Sequence, residues 1–134
     1  MHLSELPWLG IATATAVYFV LGAVWYGVLA KPWMRHSGVT EEQVREGGGP
    51  TPYVIAAVAS FLGALATGVV LHATNSHHWQ EGLHWGLVLG GGVAASAIAK
   101  HYAFQNHPAG LFLIDAGYDI VGFAVMAIVI VLLS

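Results

Sequence analysis

Four apolar runs, each about as long as the roughly 20 residues a helix needs to cross a bilayer, take up most of this chain. They lie at about 7–30, 53–73, 83–103 and 111–133, by length and hydropathy. Hydrocarbon offers no partner to backbone N–H and C=O groups, so only helices and closed barrels span it. Continuous apolar runs without alternation exclude the barrel. The expected fold is all-α: one transmembrane domain over residues 1–134, an integral membrane four-helix bundle. Composition points the same way, because 8% charged residues is far below the about 25% of a soluble domain.

The segment before the first run, MHLSELP, has no lysine or arginine and carries Glu5. A secretory signal opens on a basic segment, so the first run is expected to stay as a membrane helix. Lys31, Arg35 and Arg45 fall in the connection between the first and second runs, and Lys100 ends the third. Basic residues stay on the cytoplasmic side, which places 31–52 and 104–110 there and both termini on the outer side. Within 31–52, Thr40 and Gln43 have capping-box spacing and Glu41 stands four residues before Arg45. A short surface helix over 41–46, ended by the glycines at 47–49, is expected. Trp25 and Trp33, with Met34, Lys31 and Arg35, are the expected interface anchors, aromatic at headgroup level and cationic toward lipid phosphate.

The fourth run contains Asp115 and Asp119, one helical turn apart. A carboxylate at the centre of a membrane helix costs about 2.5–3.5 kcal/mol, so two in one segment need partners. At a rise of about 1.5 Å per residue, Asp115 lies about 6 Å inside the boundary and Asp119 about 12 Å. Extended helical periodicity brings Tyr26, Lys100 and His101 to the shallower level, with Lys100 or His101 as the cation for Asp115. It brings Ser60 and Ser96 to the deeper level as hydroxyl partners of Asp119. With Tyr118, these residues make the expected intramembrane polar cluster. Glycine and alanine crowd the third run, which is expected to be the central packing element. Ile120, Phe123, Val125 and Ile128 of the fourth are expected to face lipid.

His72, His77, His78 and His84 surround the outer connection, but their spacing matches no metal-ligand pattern and no metal is assigned to them. No nucleophile elbow, phosphate loop or metal-ligand motif occurs, so an enzyme is not the preferred reading. Absent cysteine excludes thiol chemistry, and four basic residues form no nucleic-acid patch.

The segment LIDAGYDIVGFAVM, with WYG at 25–27 and KPWM at 31–34 followed by SGVTEEQV, resembles the bacterial membrane proteins of domain of unknown function 1761. The likeness covers almost the whole chain in the same order. Trp25, Tyr26, Trp33, Met34, Asp115, Gly117 and Tyr118 carry it, and the histidine-rich loop does not. It implies four membrane helices in a bacterial cytoplasmic membrane and no established activity. Three roles fit the residues. A self-associating bundle, or an accessory subunit of a membrane complex, comes first. An oligomeric proton- or ion-coupled transporter using the aspartates is the second, and a membrane enzyme or binder of a lipophilic ligand the third. No cofactor is expected, though a bound lipid or other lipophilic molecule fits such a bundle; the bilayer is the expected partner, with a homo-oligomer or larger complex.

Overall fold

Each apolar run folds as a single long helix whose ends are set by local chemistry. The computed structural model describes residues 2–47 and 49–134; Gly48, within the expected glycine stop, lies outside them. After a 3₁₀ turn at Leu3–Glu5, helix α1 (Trp8–Val28) starts behind Pro7, which has no N–H to leave unsatisfied. A break at Leu29 leads into α2 (Ala30–Ser37), which Gly38 closes in the left-handed conformation with φ 77°. Helix α3 (Glu41–Glu46) carries the reciprocal cap: Gln43 N–H donates to Thr40 Oγ1 at 3.1 Å, and Thr40 N–H to Gln43 Oε1 at 2.9 Å. Pro50 and Pro52 mark the start of α4 (Thr51–Ala73). Glu81 accepts from the N–H groups of His77 and His78 and so caps α5 (Trp79–Phe104). Pro108 precedes α6 (Ala109–Leu132). The helices α1, α4, α5 and α6 are long and apolar enough to cross a membrane.

The centre of the bundle is α6, which packs on α1, α2, α4 and α5. This corrects the expectation that the third run, α5, is central. Its glycines serve one edge only. A Cβ on Gly86 would meet Ala124 Cα at 2.5 Å and Phe123 O at 2.7 Å, and one on Gly90 would meet Ile120 Cα at 2.8 Å. Backbone thus lies on backbone along that line, the close approach small residues permit. Gly91 and Gly92 have nothing within 4 Å of a built Cβ. Two of the four residues expected to face lipid from α6 face other helices instead: α5 covers Ile120, and Phe123 packs against Tyr18 and Gly63.

The middle of α5, Val88–Ala95, is π-helical. Its i→i+5 hydrogen bonds take in extra chain per turn, and the sequence VLGGGVAA supplies three adjacent glycines that tolerate the wider turn. The buried edge consequently steps Gly82, Gly86, Gly90, Ala95, where the last step is five residues instead of four. Every position beyond it is rotated by one relative to a plain α-helix.

Packing is uneven along the bundle. The core unites Ile11, Ala14, Ala64, Leu71, Met126 and Ile130, all toward the end that carries both termini. Toward the other end, where Lys31, Arg35, Arg45 and Lys100 sit, residues 51–59 of α4 are all exposed. That half of α4 stands away from α1 and leaves a cleft of about 760 Å³.

Candidate functional site

The aspartates are held by tyrosines. Tyr26 Oη donates to Asp115 Oδ1 at 2.7 Å and Tyr102 Oη to Asp115 Oδ2 at 2.5 Å. Tyr18 Oη donates to Asp119 Oδ1 at 2.6 Å. Tyr118 sits among the donors, stacked on Tyr18 with centroids 4.6 Å apart and edge-on to Tyr26 at 5.5 Å. Its own hydroxyl donates to the Tyr18 carbonyl at 2.8 Å.

Glycines opposite these rings make the arrangement fit. A Cβ on Gly22 would meet Tyr118 Oη at 2.7 Å, and one on Gly117 would meet the Trp25 ring at 3.1 Å. A Cβ on Gly122 would overlap the Tyr18 ring. Each ring on α1 or α6 therefore occupies the space of a missing side chain on the other helix. Trp25 completes the seam by donating its indole N–H to the Ile114 carbonyl at 3.0 Å.

Several expected partners are elsewhere. Lys100 and His101 are exposed, and no lysine, arginine or histidine nitrogen among the described residues comes within 4.0 Å of either carboxylate. The π-helical segment is the cause: it advances α5 by one position, so Tyr102 takes the place that unbroken α periodicity gives to His101. Ser60 is 2% exposed but donates to its own Ala56 carbonyl at 2.7 Å. Ser96 is exposed and donates to Gly92 O at 2.7 Å. Both hydroxyls are satisfied within their helices, as membrane serines commonly are. Tyr18 replaces them at Asp119. Trp33 turns an edge to Tyr26 at 6.4 Å, while Lys31 and Arg35 remain exposed.

Two residues central to the site, Tyr18 and Tyr102, lay outside the expected cluster. Tyr18 could have been found by asking which donor reaches the level of Asp119 from α1. The glycine triplet at 90–92 was the available sign that periodicity would break before Tyr102.

At the opposite end His72 Nε2 lies 3.8 Å from Glu5 Oε2, and His84 packs edge-on against Trp85. Among the described residues no three histidine, aspartate or glutamate side chains group as a metal site requires.

The aspartates line a single cleft of about 500 Å³ together with Tyr26, Trp33, Ile98, Tyr102 and Tyr118. Hydrogen bonds to a charged group are worth about 1.5–3 kcal/mol each. Two of them are enough to offset the about 2.5–3.5 kcal/mol cost of a carboxylate at mid-membrane, and Asp115 has two. Asp119 has one, and its Oδ2 accepts from no described residue. Asp119 Oδ2 is thus the carboxylate oxygen of the cleft left open to a further partner among the described residues.

No curated protein and no solved structure matches the chain. A family model described as protein of unknown function (DUF1761) matches residues 9–131. Four apolar helices and this nearly full-length match agree, and the chain belongs to that family of unknown function.

Proposed function

We propose that the chain is a non-enzymatic component of a bacterial cytoplasmic membrane, working as a self-associated bundle or as a subunit of a larger membrane complex. The supporting observation is the bare half of α4, exposed throughout residues 51–59 although it belongs to the most apolar of the spans. Gly91 and Gly92 on α5, where a built Cβ meets nothing within 4 Å, give a second flat face on which another helix can lie closely. The connections 31–52 and 104–110 are cytoplasmic in this reading, with both termini outside. Native mass measurement in mild detergent tests the assembly: a defined oligomer or a stoichiometric companion is expected, and a clean monomer defeats it. Because the chain has no cysteine, Glu42→Cys and His77→Cys test the orientation. An impermeant maleimide added to intact cells should label only the second.

A second reading, ion or proton coupling through the aspartates, draws on their shared cleft. Its expected sign is a pH-driven flux in liposomes that Asp119→Asn abolishes. Equal flux in wild type and variant refutes it.

A further inference from the structure

The cleft with the aspartates does not stand alone. Tyr26, Trp33 and Tyr118 line it and also line the 760 Å³ cleft between α1 and α4. One compartment offers Asp115 and Asp119; the other is walled mainly by apolar residues such as Phe19, Met34, Val44 and Pro52, with Glu41 also on its wall. Three aromatic rings form the boundary between them. We infer that the two compartments are one site for a lipophilic organic cation, whose charged centre sits beside Asp119 and whose hydrocarbon or aryl body lies against α1 and α4. This rests on the reading that the cluster binds a ligand rather than only locking helices.

Charge selects the sign of the ligand. Two carboxylates line the polar compartment without a cationic side chain among the described residues within 4.0 Å. One oxygen, Asp119 Oδ2, accepts from no described residue. An anionic phospholipid headgroup would be repelled there. The walls select an organic ion over a metal. Three of the four carboxylate oxygens already accept from tyrosines, whereas Ca²⁺ and Mg²⁺ ask for about six or more oxygens. Aromatic faces attract an organic cation that has shed its water. Size is compatible as well, since ligand cavities run about 300–1,000 Å³. The bare half of α4 opens the apolar compartment sideways, so entry from lipid suits a ligand that partitions there.

The test uses a pair of ions alike in shape and opposite in charge. The full-length protein in nanodiscs is titrated with tetraphenylphosphonium and with tetraphenylborate, and tryptophan fluorescence is read. Saturable binding of the cation, at least tenfold tighter than the anion, is expected. Asp119→Asn should weaken it at least tenfold, and Asp119→Glu should recover most of the loss. Ala56→Trp, which fills the apolar compartment and leaves Asp115 and Asp119 unchanged, should weaken it at least threefold while elution volume stays at the wild-type value. Equal binding of the two ions, or cation affinity unchanged in Asp119→Asn, overturns the inference. Proton flux through Asp119 without cation binding would end it while leaving a ligand-binding cluster standing; silence in both assays would end both.

Discussion

The two ends of this bundle follow different rules. Toward the termini, α1, α4 and α6 close around Ile11, Thr67, Met126 and Ile130, all at most 0% exposed. Toward the basic connections α4 stands away, and tyrosines and aspartates join α1, α5 and α6. Lipid tails are as apolar as leucine, so the closed end gains little from hydrophobicity and depends on close contact between helices. The open end gives up the contact with α4 and holds α1, α5 and α6 together through hydrogen bonds to the aspartates. Shape stabilises one end, and polar satisfaction the other. Substitutions at the two ends should therefore fail for different reasons.

The largest effect is expected at the closed line between α5 and α6. Gly86→Leu places a side chain where Ala124 Cα and Phe123 O already lie. Because backbone cannot yield as a flexible side chain does, about 3 kcal/mol or more should be lost, the upper end of overpacking costs. Gly92→Leu lies on the same helix but meets nothing within 4 Å, and should cost much less. Thermal unfolding in detergent compares them. Similar losses in both would mean that closeness to α6 is not what stabilises this end.

A smaller contrast lies within the open end. Tyr18→Phe removes the donor to Asp119 Oδ1, with no other described residue to replace it. A loss of about 1–3 kcal/mol is expected for an orphaned polar group. Tyr102→Phe leaves Asp115 its bond from Tyr26, so about 1 kcal/mol is expected, the worth of an ordinary net hydrogen bond. Unfolding titrations with SDS measure the difference. A larger loss for Tyr102→Phe would reverse the assignment of Asp119 as the less satisfied carboxylate.

The same division explains which features could be read from sequence. Length and hydropathy locate four helices, because lipid forces each apolar run to satisfy its own backbone. Thr40 and Gln43 announce α3, since a capping box is made of neighbours in sequence. Asp115, Asp119, Tyr26 and Tyr118 are recognisable as one cluster from their stripe and depth. Their partners are harder, because a partner on another helix depends on the rotation of that helix. The glycine triplet changes this rotation by one residue, which exchanges His101 for Tyr102. Ser60 and Ser96 mislead for a second reason: a serine hydroxyl reaches a carbonyl one turn back in its own helix. The centrality of α6 was hidden by its large side chains. It is surrounded because small residues mark the contact on both sides, Gly10, Gly22, Gly86 and Gly90 on its neighbours and Gly117 and Gly122 on α6 itself.

The π-helical segment offers the finest test, because it separates chain length from side-chain chemistry. If the five-residue step from Gly90 to Ala95 is what turns Tyr102 toward Asp115, deleting Gly91 should be mild. One residue fewer converts the wide turn into an ordinary α turn, and everything beyond keeps its direction. Tyr102 then still donates to Asp115. A change within about 0.5 kcal/mol is expected, as for substitutions away from critical features. Replacing Gly91 and Gly92 together by alanine should do more, since alanine lacks the conformational freedom with which glycine tolerates the wider turn. With no residue removed, an ordinary α turn there rotates Tyr102 away and brings His101 toward the aspartates. Adding Tyr102→Phe to each background reads the outcome: it should cost about 1 kcal/mol in the deletion and almost nothing in the double alanine. Equal costs would show that the glycines do not set the direction of α5, and the open end would owe its tyrosine partner to packing alone.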